Sequence, residues 1–203
     1  NTTSIYSQVS VEQQIPFIPG LKAKGTLAYD PSFVMNKHWT LPVHKASLDR
    51  SVTPNIINDG IWGQTKPSLS QNYFNDYQLT AQFGLNYDKS FNKHSVSVLG
   101  LLESKGNNYL NLGATRRNYN LTIDEINLGS SSQADMSTRG SSSASRQMGL
   151  VYRVAYDYAQ KYLLEASGRY DGSYYFSPEQ RFGFFPAFSV GWRLSEESFL
   201  KNK

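Results

Sequence analysis

Met148-Gly149-Leu150-Val151-Tyr152-Arg153-Val154-Ala155-Tyr156-Asp157-Tyr158 sorts by every second residue into two unlike faces. Met148, Leu150, Tyr152, Val154, Tyr156 and Tyr158 share one; Gly149, Val151, Arg153, Ala155 and Asp157 share the other. After Ala159-Gln160-Lys161 the pattern repeats. Tyr162, Leu164, Ala166, Gly168 and Tyr170 oppose Leu163, Glu165, Ser167, Arg169 and Asp171. Period two is the signature of β-strands with one apolar face. Each run is about ten residues, enough to cross a bilayer at a tilt of about 45°. Tyrosines stand towards both ends of each apolar face, where aromatic girdles meet the two interfaces of a membrane barrel.

Working outward, the same alternation predicts further strands. Tyr77, Leu79, Ala81, Phe83, Leu85 and Tyr87 form one apolar face. Ser95–Glu103 alternates less cleanly, and Leu21, Ala23, Gly25, Leu27 and Tyr29 alternate with polar or small residues. An N-terminal strand is expected over Ser4–Gln13 and a last one over Phe184–Ser195, about seven strands in all. Connections are short at Gln14–Gly20, Asp88–Lys93 and Ala159–Lys161. They are long and polar over Pro31–Asp76 and Ser104–Arg146, and of medium length over Gly172–Gly183. Short turns at one end and long loops at the other fit an outer-membrane barrel, with the long loops extracellular and the tight turns periplasmic. Two structureless loops of about 40 residues are rare in a compact soluble domain. Ser130–Ser145, rich in Ser and Gly, reads as mobile loop. Thr122-Ile123-Asp124-Glu125-Ile126 could start one short helix, with Thr122 as N-cap and Glu125 at the capping-box position.

Composition agrees. Of 203 residues 14% are aromatic, 14 of them Tyr against 3 Trp, and none is Cys, which removes disulfides and thiolate metal sites. Charged residues are 18% and the net charge is +4. The single basic pair in a connection, Arg116-Arg117, is no nucleic-acid footprint. No apolar run reaches the roughly 18 residues of a membrane helix. A mean hydropathy of −0.50 suits a barrel, whose strands show lipid only at alternate residues. Asn1 opens directly into a strand pattern without a signal-type segment. An exported protein needs such a segment, so the chain reads as a fragment.

Several residue groups admit a chemical reading and a plainer one. Arg153, Asp157, Glu165, Arg169 and Asp171 alternate away from the apolar face and would line the lumen, either as a polar path or plug-docking surface or as an ion-pair ladder on a wet wall. The loop aromatics Trp39, Trp62, Tyr73, Phe74, Tyr109 and Tyr119 could stack on a ligand or on a partner protein, or pack among themselves. Tyr174-Tyr175-Phe176 reads as girdle and loop-base packing. Asp124-Glu125 and Glu196-Glu197 are adjacent carboxylates, which rarely converge across a sugar as a glycosidase requires. His38, His44 and His94 lack the three or four convergent ligands of a metal site. With no nucleophile triad, G-x-G-x-x-G or P-loop, neither an enzyme nor a cofactor is expected.

The last third also carries words of a known family. Tyr156-Asp157-Tyr158, Lys161 to Ala166 and Arg169-Tyr170-Asp171-Gly172-Ser173 resemble a run of the SusC/RagA-type TonB-dependent transporters. So do Arg181-Phe182-Gly183, Phe185-Pro186-Ala187, Ser189 to Glu197 and Phe199-Leu200-Lys201, in the same order and spacing. Tyr174-Tyr175 departs from the small residue usual after the Asp-Gly-Ser word. The resemblance implies an all-β, antiparallel transmembrane barrel of 22 strands. Residues 1–203 would be a partial barrel domain lacking the plug and the barrel's closing strand. It further implies import of glycans or oligopeptides across the outer membrane of Bacteroidetes-type bacteria. A SusD-type surface lipoprotein would serve as lid, and energy would come through the TonB complex from parts outside this chain. The competing readings are a soluble secreted β-sandwich, either a carbohydrate-binding or an adhesin module, and a non-energised porin.

Overall fold

The computed structural model describes residues 1–51, 53 and 56–200. Lys201, in the last of the family-like words, lies outside them. The elements are strands and 3₁₀ turns. Along the chain run β1 (Thr2–Ser4), β2 (Ser7–Gln14), β3 (Leu21–Thr40), β4 (Val43–Asp49) and β5 (Ile56–Trp62). They are followed by β6 (Ser68–Phe91), β7 (His94–Arg116), β8 (Met136–Tyr158), β9 (Tyr162–Ser173) and β10 (Phe182–Trp192). The main sheet has the order β1-β3-β6-β7-β8-β9-β10, with β2 also on β3; β4 and β5 form a separate hairpin. β1 and β2 pair with successive stretches of β3, Thr2 opposite Val34 and Ser7 opposite Tyr29, and Ile5 N donates to Pro31 O at 3.0 Å between them. They therefore act as one edge strand, which leaves the expected seven. Among the described residues β10 pairs with β9 alone, so the sheet is not closed.

The strands are longer than the alternation indicated. β6 has 24 residues, β7 and β8 have 23 and β3 has 20. A crossing takes about ten. Most of the residues expected as long polar loops are ladder. Pro31–Thr40, Ser68–Asp76, Ser104–Arg116 and Met136–Arg146 continue the strands, and the β4–β5 hairpin fills much of the rest. The Ser- and Gly-rich stretch is thus strand from Met136 onward rather than mobile loop. Its backbone groups are satisfied by the ladder, and with both faces polar it carries no hydropathy period. Thr122 starts no helix. The segment makes only a 3₁₀ turn over Ile126–Leu128, entered from Glu125 with no side-chain cap bond. A few residues cannot offset helix nucleation, and tertiary bonds hold this stretch instead. The last strand ends at Trp192, before a 3₁₀ turn over Leu194–Glu196.

Two compact units divide the chain. One comprises Ile5–Pro31, Tyr77–Asn108 and Ala144–Lys203 and holds the apolar stripes. Its tight turns use left-handed backbone: Gly20 at φ 96°, Asn92 at 54°, and Ala159 and Gln160 at 57° and 58°. The other comprises Asn1–Ser4, Ser32–Asp76 and Tyr109–Ser143. There the loop after β7 is tied down by Lys37 to Asp124 at 2.8 Å, by Arg116 Nη1 to Asn127 O at 3.0 Å and by Asn118 to Asp135 at 2.6 Å.

Candidate functional site

Register aligns the apolar residues of β8, β9 and β10 into rows on one face. Reading across the three strands, the rows are Leu150–Tyr170–Phe184, Tyr152–Gly168–Pro186, Val154–Ala166–Phe188 and Tyr156–Leu164–Val190. Aromatic rows bound them. Tyr158–Tyr162–Trp192 closes one end, with the two tyrosine rings stacked at 6.4 Å. Phe182 closes the other, stacked on Tyr170 at 5.2 Å and covering Gly172, whose hydrogen leaves room for the ring. From Phe182 to Trp192 is about 33 Å of strand, or about 25 Å of depth at a tilt of about 40°. That is the height of the lipid-facing band of an outer-membrane barrel. Val190 is 81% exposed and Phe188 80%, so none of the described residues covers the band there. Among the described residues no helix is long and apolar enough to cross a membrane.

The girdle at the turn end has a polar anchor that sequence reasoning missed. Glu197 accepts from Tyr162 Oη at 2.8 Å, Lys161 Nζ at 3.1 Å and Trp192 Nε1 at 3.2 Å. These bonds, Tyr162's first, hold its carboxyl below the ordinary glutamate range. Next along, His94 Nδ1 lies 2.6 Å from Tyr156 Oη and the ring stacks on Phe91 at 5.1 Å. The sequence signal for Glu197 was its place five residues after Trp192, which is silent without the chain reversal between them.

The opposite face carries the charges. Arg153 donates diagonally to Glu165, Nη2 to Oε2 at 2.7 Å. Arg169 grips Asp171 two residues on, Nε to Oδ2 at 2.9 Å, and reaches Glu103 on β7 at 3.5 Å. Glu103 also meets Lys105 at 3.1 Å and accepts from Gln82 Nε2 at 2.6 Å. Four of the five expected lumen residues therefore sit in ion pairs on one face. The fifth, Asp157, serves the turn instead, accepting from Gln160 N at 2.6 Å. Glu103, Lys105 and Gln82 join the network without having been singled out, because pairing across β8 is invisible in a linear pattern.

The loop aromatics separate. Tyr119 is 1% exposed and meets Trp39 edge-on at 4.8 Å, so it is a packing residue with no surface for a ligand. Its phenol, raised above its ordinary pKa by burial, has no hydrogen-bond partner. Phe74 and Tyr109 pair at 6.4 Å, and Tyr73 is part-exposed. Trp62, 72% exposed at the end of the β4–β5 hairpin, remains open to contact. Tyr174, Tyr175 and Phe176 are all exposed. Among the described residues no three of His, Asp and Glu converge as metal ligands.

The arrangement has relatives. No family model matches the chain. It is 32% identical, over 99% of its length, to TonB-dependent receptor P39 of Formosa agariphila, and it spans 18% of that protein. It is 42% identical over 50 residues to TonB-dependent receptor SusC of Bacteroides thetaiotaomicron, a quarter of this chain and 5% of the relative. All of it superposes on 21% of a chain in a structure of the RagAB peptide transporter, with a TM-score of 0.79 at 15% identity. The "open-open" state of the RagAB peptide importer gives 0.77. The relatives are receptors and transporters rather than enzymes.

Proposed function

We propose, for a chain that by sequence and fold is a segment of a SusC/RagA-type TonB-dependent receptor, that it forms part of the barrel wall of a bacterial outer-membrane importer. The observation that carries this is the two-faced register of β8–β10. One face is an apolar band about 25 Å deep between aromatic rows, and the other is lined with ion pairs. A soluble β-sandwich would bury the apolar face against a second sheet; here it is left bare.

In this reading the apolar rows meet lipid and the ion-paired face meets the lumen. Nutrients, glycans or oligopeptides, pass along that face. The parts of the protein outside residues 1–203 supply the plug, the remaining wall and the contact with the TonB complex. A SusD-type lipoprotein covers the barrel as a lid, with Trp62, 72% exposed on β5, open to contact it. The segment itself performs no chemical conversion.

The test uses the full-length protein in its own cells. It is expected in the outer-membrane fraction, with nutrient uptake lost when the TonB complex is removed. Recovery in the soluble fraction would refute the barrel, and uptake indifferent to TonB would leave a passive porin.

A further inference from the structure

On the ion-paired face, at the Phe182 end of β8–β10, lies a cavity of about 420 Å³ bordered by Lys105, Arg169 and Arg181 and by Glu103 and Asp171. Three cations against two carboxylates leave one positive charge over. The contacts identify which. Lys105 and Arg169 both meet Glu103, at 3.1 and 3.5 Å, and Arg169 binds Asp171 at 2.9 Å. Arg181 has no carboxylate partner among the described residues. Its guanidinium lies over the Tyr174 ring, 5.8 Å from the centroid, and its Nε is buried with no acceptor. Beside it Phe176 and Phe185 border the same cavity and are 60% and 61% exposed.

A guanidinium held on an aromatic ring at the edge of a cavity, with no counter-charge among the described residues, is a half-built carboxylate site. Its planar fork matches two carboxylate oxygens, and such charge-assisted pairs are the strong ones. The neighbouring carboxylates are engaged with Lys105 and Arg169, which keeps them from neutralising Arg181. The cavity has the size of a small-molecule site.

The geometry points to a site for a carboxylate-bearing group of the transported ligand, the acid on Arg181 and the attached ring or chain against Phe176 and Phe185. This rests on the reading of that face as the ligand path. The acid has two possible sources, a uronic-acid residue or a peptide C-terminus, and neutral sugars are the disfavoured class.

The experiment measures binding to the purified full-length protein without energisation, so loss of TonB-dependent uptake does not bear on it. Two pairs of probes are compared: tri-galacturonate with its methyl ester, and an Ala-Phe-Ala tripeptide with its C-terminal amide. In at least one pair the acid should bind about tenfold more tightly than its neutral twin, as one charge-assisted contact implies. The pair that does so names the source. Arg181→Gln should abolish the preference, and Arg181→Lys, which keeps the charge without the fork, should leave part of it. Equal binding of the twins or no binding by either acid overturns the site; the latter includes the case in which another part of the protein fills the cavity. So does a preference that Arg181→Lys leaves undiminished.

Discussion

Gly149 stands opposite Asp171 in the β8–β9 register, and its missing side chain is what lets Arg169 reach across β8 to Glu103. A Cβ at Gly149 would lie 3.1 Å from Arg169 Nη2 and closer still to Asp171 Oδ1. Gly149→Val should push both side chains aside and cost about 1–3 kcal/mol of barrel stability. If the glycine acts through the Arg169–Glu103 contact, Gly149→Val and Glu103→Gln will be non-additive in a double-mutant cycle on the full-length protein. Simple additivity would show that the two act separately.

Depth along the apolar band should set the cost of charge. Val154 sits in the middle rows between Phe182 and Trp192, and Leu164 one row nearer the turn end. Val154→Arg should cost about 2–4 kcal/mol, Leu164→Arg less, and Ser189→Arg, which faces Glu165 across the ladder, little or nothing. Heat-modifiable mobility of the folded barrel reads the order. Tolerance of Arg at 154 equal to that at 189 would reverse the face assignment.

The Glu197 anchor predicts an acid dependence. Its folded carboxyl titrates below the ordinary glutamate value because Tyr162, Lys161 and Trp192 donate to it. A depressed pKa stabilises the fold above the unfolded value, near 4.3, and the contribution is lost as pH falls through the folded one. The melting temperature of Glu197→Gln should therefore lie below wild type at pH 7, and the two should converge in acid. A gap unchanged at pH 3 would refute the ionised anchor.

Topology is open to labelling. Cysteines at Ser131 and Gln160, both exposed, are placed in a full-length protein free of other reactive thiols. Position 131 should react with an impermeant maleimide on intact cells, and position 160 only once the outer membrane is opened. Reaction at 160 alone means the orientation is inverted.

Residues 1–203 expressed by themselves should aggregate. Among the described residues both edges of the sheet carry unpaired backbone groups, and the apolar band is far larger than a soluble monomer shows. A monodisperse, cooperatively unfolding species on size exclusion without detergent would revive the soluble β-sandwich.

Local chemistry alone determined the membrane-crossing halves of the strands. Where one face meets lipid and the other water, side chains must alternate, so Met148–Tyr158 and Tyr162–Asp171 declare themselves, as does the reversal at Ala159–Lys161. The continuations such as Ser104–Arg116 and Met136–Arg146 had to wait for the tertiary structure. A strand wet on both faces needs no apolar stripe, and its cause is pairing with a neighbour distant in sequence. The same holds for the site. That Arg153, Glu165, Arg169 and Asp171 share a face follows from period two. That Arg169 meets Glu103, that Tyr119 is sealed under Trp39, that Glu197 holds Tyr162 and that Arg181 has no counter-charge among the described residues are decided by how strands and turns distant in sequence are brought together. Register is a property of pairing between strands, and no single strand's sequence contains it.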